Sequence, residues 1–429
     1  MLPALSPPVQ TQATSTLPVR VRMATAGAAA VALSLPIAWI SLSKLLVFCI
    51  VLGLLIVGLR QREQQHTLRR LLSLRWVLAI LALFAFSLFW TDADAEVALA
   101  ALTKHGKLLL PFLLVLLIPS VHEARVALIL FGLAQSVLAC LSWASAAGLT
   151  LPWLAARGWG WTPGIVFTSY LDQSIIFSVT AAVLWHLRRE NLWPAWLGLA
   201  MAVAMLANVL VLLPGRTGYL IAILVLTLVA VWALPKRWQW PAVLLVPILM
   251  MTSLWFGSSK IQARIALVAA ESRAFISNAE VGSSAAFRLN AWRRSWQAIA
   301  EQPLTGHGVG AWTGVVKRLE GANGTAVFGS GKLSNPHQEF MLWGVELGLL
   351  GLLLLPAWIV ALLRDFVRFK APVAHAGISV TLAMAVACLF NSSLFDGLIG
   401  DYFCVLLGLL LAYGLTAPNQ TKSLSPSIA

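Results

Sequence analysis

The chain is a succession of apolar runs, each near the length that crosses a bilayer, broken once by a long polar segment at 257–335. A run of about 20 apolar residues is poorly placed in water, and in lipid its backbone must satisfy itself, which a helix does. Twelve runs qualify by apolar length: 23–41, 44–59, 75–90, 104–119, 125–147, 170–187, 193–214, 217–234, 240–256, 337–363, 372–394 and 400–416. Charged residues are 11% of the chain, against roughly a quarter in a soluble domain. The expected fold is an all-α polytopic membrane protein of about 12 transmembrane helices, with one large outward helical segment between helices 9 and 10. The expected divisions are a disordered tail at 1–22, helices 1–9 within 23–256, the outward segment at 257–335, helices 10–12 within 336–416 and a tail at 417–429. The first run lacks a small-residue cleavage site and is expected to remain as a span.

A net charge of +14 is compatible with nucleic acid, but no nucleic-acid-binding module or basic stripe is present, and no such partner is expected. The cations instead sort by loop. One alternate set carries Arg20, Arg22, Arg60, Arg62, Arg69, Arg70, Arg75, Arg125, Arg188, Arg189, Lys236, Arg237, Arg364, Arg368, Lys370 and Lys422. The other short loops carry only Lys44, Lys104, Lys107, Arg157 and Arg216. Short cationic loops stay in the cytoplasm, which puts both termini there and the 257–335 segment outside. Cys49, Cys140, Cys388 and Cys404 all sit in apolar runs without zinc-ligand spacing, so no cysteine zinc site is expected. Of the 19 tryptophans, many mark span ends as an interfacial belt, including Trp76, Trp90, Trp193, Trp238, Trp240 and Trp255. Trp153, Trp159 and Trp161 cluster with Arg157 in an outward loop where a sugar could stack.

The outward segment has helical periodicity at 260–276 and 285–301, the second ended by Pro303 and Gly306. Both helices should lie over the membrane mouth, apolar faces down. After them comes Ser334-Asn335-Pro336-His337-Gln338-Glu339, then an apolar run. With Asn335 as cap and Pro336 at the first position, His337 is expected in the first helical turn. The helix dipole and nearby arginines disfavour imidazolium there, which suits a general base; otherwise His337 is only a helix-start histidine at a lipid interface. Arg216 sits in a tight outward turn where Gly215 and Gly218 would let a ligand approach, and Arg288 shares a helix face with Trp292. Two converging guanidinium groups could hold a diphosphate. Arg294 points elsewhere on that helix. Glu346, about 13 Å deeper than His337 along a helix, is costly unless paired, and Asp396 and Asp401 flank an outward turn. Asp92 and Asp94 have a D-x-D spacing that could hold a divalent ion, but a plain charged loop explains them as well. His105, His307 and His375 read as background.

Taken together, these residues resemble the O-antigen ligase family, which shares a signature region with O-antigen polymerases and protein O-oligosaccharyltransferases. The resemblance covers mainly 200–400. It rests on Gly215-Arg216-Thr217-Gly218 and on Phe287-Arg288-Leu289-Asn290-Ala291-Trp292 running into Pro303 to Gly310. It continues through Pro336-His337-Gln338-Glu339-Phe340 and Val345 to Gly351. Gln338 stands where the family often has Asn, and Gly215 where it often has Ser. The resemblance implies a membrane-embedded (C-type), inverting, metal-independent glycosyltransferase of a bacterial inner membrane, with its active site facing the periplasm. It implies an undecaprenyl-diphosphate-linked glycan as donor and lipid A–core oligosaccharide as acceptor. His337 would then be the base, and Arg216 and Arg288 would bind the diphosphate. Arg157, Arg294, Glu339, Glu346 and Asp396 are secondary candidates.

Within the class, a polymerase or a protein-glycosylating enzyme would use the same donor. One outer segment and a short tail after the last span favour the ligase. A twelve-span transporter or flippase is the rival outside the class, but no internal repeat is visible and the large insertion is off-centre. A metal-dependent transferase would use Asp92 and Asp94.

Overall fold

The computed structural model describes residues 19–56, 68–149, 163–257, 262–263, 266–267, 269–270, 273, 284–321 and 335–417. Arg157, Trp153, Trp159, Trp161 and most of the expected helix at 260–276 lie outside them. Every regular element among the described residues is helical. In chain order these are α1 (Val19–Ala32), α2 (Ile37–Ile56), α3 (Leu72–Phe86), α4 (Ala95–His105), α5 (Leu110–Leu117), α6 (Val121–Ala146), α7 (Tyr170–Leu187) and α8 (Ala195–Val211). They continue with α9 (Arg216–Ala233), α10 (Lys236–Gly257), α11 (Ser284–Glu301), α12 (Trp312–Glu320), α13 (Glu339–Val367), α14 (Ala371–Phe390) and α15 (Gly397–Thr416). A 3-10 turn at Gly106–Leu109 joins α4 and α5 into one rod.

Nine described helical stretches are long and apolar enough to cross a membrane. At the other three expected positions stand α1, with 14 residues, α8, with 17, and α7, which buries Gln173, Ser174, Ser178 and Thr180. The chain is an all-α polytopic membrane protein. Local chemistry sets several starts. Ser120 accepts from the Glu123 amide at the head of α6. Ser169 accepts from the Asp172 amide and donates to its carboxylate at the head of α7, a reciprocal cap. The outer faces of α2 and α10 expose Leu42, Leu45, Phe48, Leu244, Ile248 and Leu249, as lipid-facing helices do.

The centre of the bundle is α15, where 89% of the spanning window is buried. It packs against α5, α6, α7, α2 and α14. Charges inside the bundle are paired: Arg22 with Glu123 at 2.8 Å, and Lys44 with Asp401 at 2.7 Å. Lys44 is therefore not the loop residue expected from its position. The chain turns earlier, at 33–36, where Pro36 precedes α2, so Lys44 lies inside α2. Lys104 and Lys107 likewise belong to the α4–α5 rod.

Candidate active site

One end of the bundle is anchored by a break in α13. Gly348 has φ 67° and ψ −153°, a conformation open only to glycine, so the expected span at 337–363 is two helical pieces joined at this residue. The break leaves carbonyls and an amide without helical partners, and the turn after α11 supplies them. His307 N donates to Val345 O at 2.8 Å, Gly308 N to Glu346 O at 2.9 Å, and Leu349 N to Pro303 O at 2.8 Å. Contact is backbone to backbone: a Cβ on Gly306 would lie 2.5 Å from Gly348 N, and one on Gly348 would lie 2.4 Å from Pro303 O.

Glu346 secures this joint together with Asp92 and two histidines read as background, His105 and His307. Glu346 accepts from Gly310 N at 2.8 Å and pairs with His105 Nε2 at 3.0 Å; His105 is stacked on Phe84. The cost of an acid at this position is met by that pairing. His307 lies between Asp92 Oδ2 (2.9 Å from Nδ1) and the Ala298 carbonyl (3.0 Å from Nε2). Asp92, half of the D-x-D pair, thus clasps the turn.

With the joint made, α11 packs against α13 and α12. Trp292 Nε1 donates to Pro336 O at 3.1 Å, and the Phe287 ring meets the His337 ring edge-on at 5.9 Å. Arg288 donates to Asn391 Oδ1 at 3.3 Å, and Asn391 Nδ2 to Thr217 Oγ1 at 3.2 Å, beside Arg216 at the head of α9. Arg216, Arg288 and His337 come from distant parts of the chain and share one neighbourhood. Burial lowers the Arg288 pKa first, and the Arg216 charge lowers it further. Burial and then Arg288 hold His337 below its ordinary value. Both effects disfavour the imidazolium, the form that could not act as a base.

His337 does not sit in the first turn of a helix. Its φ is +52°, and α13 begins at Glu339 with Gln338 as cap, accepting from Met341 N at 3.1 Å. The Asn335 side chain takes the His337 amide at 2.9 Å, bending the chain into the left-handed region two residues early. The glycines beside Arg216 also differ from expectation. They admit the neighbouring helix rather than a ligand: a Cβ on Gly215 or Gly218 would lie 2.3 Å from Ser174 Oγ.

Glu339 is fully buried and accepts three bonds: Trp343 Nε1 at 2.9 Å, Leu394 N at 3.0 Å and Phe395 N at 3.1 Å. It thereby fixes the turn that presents Asn391 to Arg288. In Glu339→Gln an amide group faces at least one of these donors. Each donor left without an acceptor costs about 1–3 kcal/mol, so the thermal midpoint in detergent should fall; an unchanged midpoint would mean that something else holds the turn.

Asp396, at the end of the same turn, has its pKa raised to about 6 by burial and then by Asp172, against Lys107 and Lys104. Arg294 is engaged by Glu320 and Gln297. Sequence reasoning missed Asn391 and Thr217. The one visible signal was the polar triplet Asn391-Ser392-Ser393 interrupting apolar sequence.

The fold is that of a polytopic helical membrane protein, and turns at one end of its bundle bring two arginines and a histidine together. Residues 200–355 match the family model Wzy_C, described as O-antigen ligase, and this match supports membership of the O-antigen ligase family. Its members are glycosyltransferase-like enzymes of ligase or polymerase type. The matched region contains Arg216, Arg288, His337, Glu339 and Glu346; Asn391 and Asp396 fall beyond it. No curated protein matches the chain.

Proposed function

We propose that this protein is an O-antigen ligase, transferring a glycan from undecaprenyl diphosphate to lipid A–core oligosaccharide at the periplasmic face of a bacterial inner membrane. The observation that carries the reading is the convergence of His337 and Arg216 with Arg288 of α11. His337 takes the proton from the acceptor hydroxyl as its oxygen attacks the anomeric carbon opposite the diphosphate. The bond from that carbon to the diphosphate oxygen breaks, its electron pair leaves with the diphosphate, and the configuration inverts. Arg216 and Arg288 offset the charge that builds on the leaving oxygen, a role that preorganised cations perform well in a site shielded from water. Asn391 steers Arg288 and links it to the start of α9.

The test is transfer by purified protein from undecaprenyl-diphosphate glycan to lipid A–core, with and without EDTA. Transfer that survives EDTA is expected; loss with EDTA would move the chemistry to an ion-dependent mechanism. Arg216→Lys keeps the charge but loses the planar fork, and should lower kcat/KM by about 10–100-fold, one bidentate charged contact at about 1.5–3 kcal/mol. Donor use near that of wild type would make Arg216 an anchor of α9 only. If the glycan goes to a second lipid-linked repeat instead of to lipid A–core, the protein is a polymerase with the same donor site.

A further inference from the structure

At the end of the bundle opposite this site, an apolar crevice of about 190 Å³ opens between α6, α7 and α8. Its walls include Ile129, Gly132, Ser136, Leu184, Trp193 and Gly198. The Trp193 ring is seated in the notch left by the two glycines: a Cβ on Gly198 would lie 2.4 Å from its Nε1, and one on Gly132 would lie 3.2 Å from the same ring. The hydroxyl of Ser136 is bonded to Gly132 O at 2.7 Å, so it is already engaged. From Ile129 to Ser136 the crevice runs about 10 Å along α6, room for a stretch of one hydrocarbon chain.

The rim is cationic. Arg125 lies one turn before Ile129, and Arg188 and Arg189 directly follow α7, one turn past Leu184. Arg125 is held by Asn191 O at 2.7 Å, and Arg188 lies over the Trp185 ring at 3.9 Å. Both arms are thus fixed by neutral groups. Among the described residues none of the three arginines has a carboxylate at ion-pair distance. The acid of the same turn, Glu190, accepts from Tyr413 at 2.8 Å. Arg188 feels both its burial and Arg189, which lower its pKa.

We propose that this crevice binds one anionic glycerophospholipid, its phosphate among Arg125, Arg188 and Arg189 and one acyl chain along α6 and α8. Guanidinium groups outside any ion pair of the described residues at a bilayer edge, next to a hydrocarbon-sized slot, match that ligand in both halves. The lipid is not the glycan donor. α7 has 18 residues and so separates the two sites by about 27 Å, with Tyr170 beside Arg288 at one end and Arg188 at the other.

Native mass spectrometry of the detergent-purified protein, with phosphatidylglycerol or phosphatidylcholine added at equal concentration, tests this. Wild type should retain one phosphatidylglycerol at least about tenfold better than phosphatidylcholine, an advantage of about 1.4 kcal/mol. Arg125→Gln with Arg189→Gln should abolish that preference, and Ser136→Phe, which fills the slot, should abolish retention of both lipids. Size-exclusion elution and thermal midpoint show whether each variant is folded. Equal retention of the two lipids by wild type overturns the proposal, as does a phosphatidylglycerol preference that survives in both folded variants. Should one variant fail to fold, the other decides, since charge and volume are altered independently.

Discussion

His337→Asn is expected to reduce glycan transfer by about 10²–10⁴-fold, the usual contribution of a general base, while the protein folds as before. Asn is the right replacement because the position has φ +52°, and asparagine tolerates the left-handed region far better than most residues. Alanine there would mix a backbone penalty into the result. Asn also lacks the imidazole's capacity to accept a proton near neutral pH. The pH profile gives a second check. Because burial and Arg288 hold the His337 pKa below its ordinary value, wild-type transfer should persist as pH falls past 6.5 and be lost only when the depressed pKa is crossed. A folded His337→Asn protein that transfers glycan at the wild-type rate would remove His337 from the mechanism.

The largest expected effect on folding is at Gly348. Gly348→Ala combines a backbone conformation that is nearly exclusive to glycine with a Cβ placed 2.4 Å from Pro303 O. The conformational term alone is about 1–3 kcal/mol, and the overlap adds to it, because Pro303 is tied to Leu349 N and cannot withdraw without losing that bond. The variant should lose several degrees of thermal midpoint in detergent or fail to accumulate in the membrane. Transfer should fall with it, since α11 and Arg288 are carried by this joint. A variant as stable and active as wild type would mean that α13 can run unbroken and that the turn after α11 docks by other means.

The membrane helices were legible because a single property, apolar length, decides them locally. What the run lengths hid were the breaks. The turn at 33–36 sits inside what reads as one apolar run, and moving it changes Lys44 from a loop residue into the buried partner of Asp401. Gly348 lies in a glycine-rich apolar stretch that reads as continuous helix, and its conformation is set by a turn some 40 residues earlier in the chain. The charged members of the candidate site were legible as residue types that are expensive at a membrane surface and so demand a reason. Their supports were not. Glu339 fixes Leu394 and Phe395, Asn391 joins Arg288 to Thr217, and His105 meets Glu346, all across long stretches of sequence. No local periodicity encodes such pairs. The asparagine before Pro336 was read as the helix cap, but the His337 amide it accepts belongs to a left-handed residue ahead of the helix, and Gln338 is the cap instead.

The position of α15 bears on how such a protein is made. It is the last of the described helices to leave the ribosome, yet α2, α5, α6, α7 and α14 all stand around it. Until it arrives, the Asp401 partner of Lys44 is missing and the faces that will meet it have only lipid or one another to rest on. The earlier helices can enter the bilayer one by one, but they have no keystone to close upon.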